Sequence, residues 1–287
     1  MIILHSKNAT IMRVPKTGST SLETAIRMTG CLGEGDISPA VEDSFLEQVN
    51  LPEDYVSRIN DIAALNQSIR KKRIENNTDF TTEEQNHIDS SRADRENNTF
   101  KTVNLQHSTL DALTDPEILQ PFGFLTEEQI YDYNHYAFIR NPLKRLISGV
   151  IFAHSLKFGG RAVPLRMEKF HEQVLGEGLL GLVYRKQIDY FTYKGETHHE
   201  GSRIVTPLLF EDYTNEVNKT ITALGGTPLT EIPKFKSQHA NRISEEDKPT
   251  IETWIDPYPE VKQAILDFYA EDIALWEEVS GQSISGL

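Results

Sequence analysis

The stretch Arg13-Val14-Pro15-Lys16-Thr17-Gly18-Ser19-Thr20-Ser21-Leu22 decides the fold, because it stands where a short apolar run gives way to a helical pattern. Ala9 to Val14 are mostly apolar, Pro15 to Gly18 punctuate, and Leu22, Ala25 and Ile26 then recur at helical spacing. The order is strand, loop, helix. Backbone N–H groups at a helix start, relieved of side-chain bulk by Gly18 and joined by small hydroxyls, make a ready site for a phosphate or sulfate. Lys16 adds a mobile positive charge. The standard nucleoside-triphosphate loop has two glycines with the lysine after the second, whereas here the lysine comes first. Taken alone, the stretch reads equally well as a capped helix with an exposed lysine.

Two further strand-to-helix units lie downstream. His135 to Ile139 reads as a buried strand with Arg140 and Asn141 at its end; Pro142 suits the first helical position with Asn141 as N-cap, and Leu143, Leu146, Ile147 and Val150 supply the apolar face. Ile204 to Phe210 reads as a third strand, leading through Glu211 and Asp212 to a helix with Val217, Ile221 and Leu224 on one face and Gly225-Gly226 as its stop. Strands alternating with helices predict an α/β fold, a P-loop-like three-layer sandwich with a central, largely parallel sheet and flanking helices. Thr99 to Leu105 is a further expected strand, leading into His107. One long closing helix is expected over roughly Pro259 to Val279, with Val261, Ile265, Phe268, Ile273 and Trp276 as a core stripe. Between these units, Val56 to Asn98 is dominated by charged and amide side chains, including Arg70 to Arg73, and is expected to form solvated helices or a mobile insertion. The whole of 1–287 is read as one domain carrying that insertion.

Composition narrows the function classes. The 43 Asp and Glu against 29 Lys and Arg give a net charge of −14, which opposes non-specific attraction to nucleic acid or an anionic membrane but leaves room for a local basic cleft. With Cys31 as its single cysteine, the chain forms no internal disulfide and no cysteine zinc cluster. Met1 to Leu4 is too short an apolar run for a signal peptide or anchor, and no later run is long enough to span a bilayer, so a cytoplasmic setting is expected. Adjacent His198, His199 and Glu200 lack a third partner at supporting spacing, and no metal is expected.

The second unit alters how the first is read. In Arg140-Asn141-Pro142-Leu143-Lys144-Arg145-Leu146-Ile147-Ser148, Arg140 sits at a strand end and Ser148 about two turns into the helix; an arginine fork and a hydroxyl converging on one phosphate is a chemically sensible arrangement. Together the Pro-Lys-Thr-Gly-Ser-Thr-Ser loop and the Arg-x-Pro-x-x-Arg-x-x-Ser segment resemble the two donor-binding elements of sulfotransferases that use 3′-phosphoadenosine-5′-phosphosulfate (PAPS), especially the carbohydrate branch that includes heparan sulfate 2-O-sulfotransferase. Leu208 to Tyr213 resembles that family's strand ending in Glu-Asp, and Tyr258 through Trp276 resembles its closing helix. The resemblance implies that Pro15, Lys16, Thr17, Gly18, Ser19, Thr20 and Ser21 cradle the 5′ end of PAPS, and that Arg140 and Ser148 grip its 3′-phosphate. Val56 to Asn98 has no counterpart in the family.

Sulfuryl transfer needs an in-line acceptor oxygen and a stabilised leaving phosphate, with little covalent help from protein. The expected roles are Lys16 at the bridging oxygen and His107 as general base, since imidazole titrates near neutrality and His107 matches the family's catalytic histidine by order. His87 and His135 are rivals for the base. Lys234 to Arg242, with Lys236, Ser237, His239, Asn241 and Arg242, resembles the family's late nucleotide-covering loop and reads equally as a solvated connection. The implied partner is a hydroxyl-bearing acceptor, a saccharide by the branch resembled; Arg70 to Arg73, Arg161, Arg166 and Lys169 are candidates to meet an anionic one. Two other readings remain open: a P-loop small-molecule kinase using ATP, and a non-catalytic nucleotide- or glycan-binding protein. The kinase reading asks for a magnesium-holding Asp on a strand and a lysine after the glycine.

Overall fold

In the computed structural model the described residues are 1–33, 36, 107–114, 125–157, 165–176, 178, 179, 181–232 and 248–284. The polar stretch at Val56 to Asn98, the strand expected at Thr99 to Leu105, His87, Arg161 and the Lys234 to Arg242 loop all lie outside them, as does the side chain of Thr20.

The elements run β1 (Ile2–Leu4), β2 (Ala9–Met12), α1 (Ser19–Met28), α2 (Leu110–Leu113), α3 (Glu127–Asp132), β3 (Asn134–Ile139), α4 (Pro142–Lys157), α5 (Met167–Gly176), β4 (His198–His199), β5 (Ser202–Arg203), β6 (Val205–Leu209), α6 (Tyr213–Ala223), α7 (Ile251–Trp254), α8 (Pro259–Phe268) and α9 (Ala270–Ser280). Four strands form one sheet in the order β1-β2-β3-β6. β2, β3 and β6 are mutually parallel, with Ile11 beside Tyr136 and Tyr136 beside Thr206; β1 pairs antiparallel to β2, with Ile2 opposite Ile11. The class is α/β, as the alternating units predict. The edge strand β1 is an addition, because Ile2 to Leu4 had been weighed only as a possible leader.

Every residue of β2 is buried, as a strand covered on both faces requires. Alternation along the strands then sorts side chains into two cores. Ile2, Leu4, Ala9, Ile11, Phe138 and Leu208 pack on one face with Leu22, Ala25 and Ile26 of α1 and Val217 and Ile221 of α6. Met1, Ile3, Met12, Ala137, Ile139 and Val205 pack on the other with Leu143 and Leu146 of α4, Val261 and Ile265 of α8 and Trp276 of α9. Leu22 is 1% exposed, so truncating it to alanine costs about 2–5 kcal/mol.

The closing segment is two helices, not the one expected over Pro259 to Val279. Tyr269 leaves helical geometry at φ −99°, ψ 20°, and its buried hydroxyl donates to the Tyr184 carbonyl at 2.7 Å. Beyond Tyr269, α9 brings Trp276 to Glu211 at the end of β6 and Asp272 to the backbone of Gln187 and Ile188.

Candidate functional site

The site lies beyond the carboxyl ends of β2 and β3, the usual place for ligands in an open α/β sheet. After β2 the chain turns through two left-handed residues, Lys16 at φ 67° and Gly18 at φ 72°. Gly18 is required twice over. A Cβ there would stand 2.9 Å from Cε2 of Tyr213 and 3.2 Å from Cε2 of Phe210, and the Gly18 carbonyl accepts from the Tyr213 hydroxyl at 2.7 Å. The hydroxyl of Thr17 donates back to the Val14 carbonyl at 2.8 Å, closing the turn. No side chain caps α1, and its first turn holds no acidic residue. Its leading amides and the positive end of its dipole therefore face the loop uncompensated by an anion from that turn. Glu23, a turn further in, is engaged by Arg13 at 2.9 Å and by Arg27 at 3.1 Å.

The second segment starts at the end of β3. Asn141 caps α4 as expected: its Oδ1 accepts from the Lys144 amide at 3.0 Å. The Asn141 amide donates to Oε1 of Glu211 at 3.0 Å, and Oε2 of the same carboxylate accepts from Nε1 of Trp276 at 3.3 Å. The Glu-Asp at the end of β6 thus ties the third strand to the second motif. Arg140 donates from Nη1 to the Lys16 carbonyl at 2.8 Å, and its guanidinium carbon lies 4.6 Å from the centre of the Phe210 ring. The two motifs meet through this bond.

Lys16 points its ammonium over the ring of Phe152, 4.3 Å from the centre. Burial, then the neighbouring Arg140 charge, lowers its pKa to about 8. Ser148 is half-buried and lies one turn before Phe152, so both stand on one face of α4. Arg145, the second arginine of the segment, has another job. It is fully buried, donating from Nη2 to the Arg185 carbonyl at 2.6 Å and from Nη1 to the Val183 carbonyl at 3.3 Å, with Asp272 at 3.8 Å.

His107 sits against the first loop, its Nδ1 2.7 Å from the Arg13 carbonyl. A carbonyl only accepts, so Nδ1 carries the proton and Nε2 keeps its lone pair. Burial lowers the His107 pKa to about 4, against the opposing pull of that hydrogen bond. His135, a rival base, is 1% exposed and occupied at both nitrogens, by Thr10 Oγ1 at 2.6 Å and by the Ile130 carbonyl at 2.7 Å. His198 and His199 lie in the exposed β4–β5 hairpin, where the His199 ring stacks on Tyr131 at 3.9 Å. Arg166 lies just before α5 and Lys169 in its first turn, both exposed.

Of the residues singled out from sequence, Lys16, Thr17, Gly18, Ser19, Ser21 and Arg140 share one loop system, with His107 anchored beside it. Phe152, Gln187, Phe210 and Tyr213 belong to the surroundings and were not anticipated. Phe210 and Tyr213 stood next to the Glu-Asp pair, but nothing in their spacing indicates that they enclose Gly18.

No protein-family model matches the chain, and no curated protein matches it. Among solved structures, a sulfotransferase from Alicyclobacillus acidocaldarius is similar, at 17% identity over 98% of each chain with a TM-score of 0.40. So distant a likeness leaves the chemistry to be argued from the side chains.

Proposed function

We propose that this chain is a PAPS-dependent sulfotransferase acting on a hydroxyl-bearing acceptor, a saccharide by the family branch its motifs resemble. The observation that carries the reading is the bond between Arg140 Nη1 and the Lys16 carbonyl, which joins the two motif segments at the carboxyl ends of adjacent parallel strands. The residues present fit the donor. An uncapped helix start and the Lys16 ammonium suit a phosphosulfate, while the Arg140 fork and the Ser148 hydroxyl suit a second phosphate.

PAPS supplies an activated sulfuryl group whose leaving portion is a phosphate. Lys16 and the first amides of α1 neutralise the negative charge that grows on the departing oxygen. Nε2 of His107 takes the acceptor hydroxyl's proton as the new oxygen–sulfur bond forms and the old one breaks. The Arg13 carbonyl holds that imidazole in the tautomer the task needs. The transfer calls for no metal.

The test is calorimetric titration with adenosine 3′,5′-bisphosphate, alongside ATP with magnesium and an Arg140→Ala control. Tight binding of the bisphosphate, sharply weakened in the control, is the expected result and leads to assay of glycan acceptors for PAPS-dependent sulfation. Preference for ATP with magnesium would replace this reading with the kinase one.

A further inference from the structure

Outside the two motifs, Gln187 is a fully buried polar residue, at 0% exposure. Its amide makes a reciprocal pair with the backbone of Arg140: Oε1 accepts from the Arg140 N–H at 3.0 Å and Nε2 donates to the Arg140 carbonyl at 2.9 Å. Sheet pairing ends one residue earlier, at Ile139 beside Leu209. The Gln187 amide therefore stands in for a neighbouring strand at the position where Arg140 leaves the sheet, satisfying two backbone groups that burial would otherwise orphan.

Gln187 is itself fixed by its surroundings. Asp272, at 0% exposure, accepts from the backbone N–H of Gln187 through Oδ2 and from the backbone N–H of Ile188 through Oδ1, both at 2.8 Å. Arg145 holds the carbonyls of Val183 and Arg185 in the strap formed by residues 181–188, and Gly149 of α4 lets the strap come close, since a Cβ there would be 3.3 Å from the Val183 carbonyl. The strap, α9 and α4 thus converge on the backbone of one residue, whose guanidinium spans the two anion-binding segments.

We infer that Gln187 is a positioning residue for the donor site, setting the backbone of Arg140 so that its guanidinium meets both the Lys16 loop and the 3′-phosphate. The inference rests on the proposed donor site. Its particular content is selectivity. Displacing the Arg140 backbone should weaken a ligand that carries a 3′-phosphate and spare one that lacks it.

Gln187→Met keeps the volume of the side chain and removes both hydrogen bonds. The experiment measures binding of adenosine 3′,5′-bisphosphate and of adenosine 5′-monophosphate to wild type, Gln187→Met, Arg140→Ala and the double variant, with circular dichroism as the check of folding. Gln187→Met is expected to weaken the bisphosphate about tenfold, the scale on which outer partners of a ligating group act, and the monophosphate less than about twofold. In the Arg140→Ala background the substitution should add less than about twofold, because the group it positions is gone. Gln187→Asn, which keeps an amide but falls one methylene short of spanning the pair, carries the same expectations should the methionine variant not fold. Equal weakening of both nucleotides, a full additional loss on top of Arg140→Ala, or wild-type affinity in the variant would each overturn the positioning role while the donor site stands. Absence of bisphosphate binding by the wild type would remove the donor site and the inference with it.

Discussion

Arg140 and Lys16, 124 residues apart in sequence, are joined by a 2.8 Å hydrogen bond from guanidinium to backbone carbonyl. The left-handed backbone of Lys16 goes with this arrangement: its carbonyl serves Arg140 while its ammonium lies over Phe152. Two cations are held together in a protein of net charge −14: burial and then the Arg140 charge lower the pKa of Lys16, while burial, opposed by Glu211 and aided by Arg145, lowers that of Arg140. Local structure thus gathers two cations in an acidic chain, as the net charge leaves room for. An anion bound between them would relieve the repulsion, so the loops are arranged for a ligand of opposite charge.

The pH dependence of turnover follows from Lys16 and His107. A base is active deprotonated, so activity should rise as pH climbs through about 4, where His107 loses its proton. A charge-neutralising lysine is active protonated, so activity should fall as pH passes about 8. The kcat/KM profile should be a plateau between these limbs. Lys16→Arg should lift the alkaline limb out of the measured range, and His107→Gln should lower the rate about 10²–10⁴-fold. An alkaline limb unmoved in Lys16→Arg would remove Lys16 from the charge-neutralising role.

Gly18→Ala tests the loop itself. Alanine would adopt φ near 72° at a cost of roughly 1–2 kcal/mol, and its Cβ would also push on Tyr213 and Phe210, which pack against the strand and α1. Urea denaturation should show a loss of about 1–3 kcal/mol, and calorimetry a weaker affinity for the bisphosphate. Unchanged stability together with unchanged affinity would mean that the loop rearranges at no cost.

Much of this architecture was legible because it is local. Each of β2, β3 and β6 is a short apolar run followed by a helix, with Asn141 before Pro142 as a start signal for one of them, and the two segments that meet through Arg140 and Lys16 are each contiguous in sequence. What escaped depends on distance. Ile2 to Leu4 carries too few residues to declare itself a strand, and becomes one by pairing with β2. Tyr269 looks like a helical residue until its hydroxyl finds Tyr184. Arg145 shares a motif with Arg140 yet turns inward to Asp272, because Arg140 lies on the backbone between β3 and α4 while Arg145 lies within α4 on a buried face. Gln187 has no motif at all; its role exists only because the strap and β3 come together across 47 residues.

Breaking the buried Arg145–Asp272 pair should be far more damaging than its 3.8 Å separation suggests. Both side chains are 0% exposed, and burial already raises the pKa of Asp272 against the favourable Arg145 charge and two backbone amides. Arg145→Met would leave that carboxylate without its cation and two carbonyls of the strap without donors. A loss of about 3–5 kcal/mol is expected in urea denaturation. Asp272→Asn keeps one acceptor and should cost less. A loss under about 1 kcal/mol in Arg145→Met would show that the strap is not anchored through this side chain.

His135 provides a separate check, on stability instead of turnover. The Ile130 carbonyl requires a proton on Nε2, which leaves Nδ1 to accept from the Thr10 hydroxyl, so the buried ring is neutral. Burial puts its folded pKa at about 4, below the value near 6.5 expected once unfolded. Between those limits the unfolded chain holds one more proton than the folded chain at this residue. Stability contributed by the neutral ring is therefore present above about pH 6.5 and is lost as pH falls toward 4, with a slope of up to about 1.4 kcal/mol per pH unit. His107, with the same direction of shift, adds to that slope. Urea denaturation from pH 4.5 to 7.5 should show stability rising with pH, and His135→Gln should flatten the curve by about one proton relative to wild type. An unaltered slope in the variant would mean that His135 is protonated within the fold, and that the Thr10 hydroxyl accepts from it rather than donates.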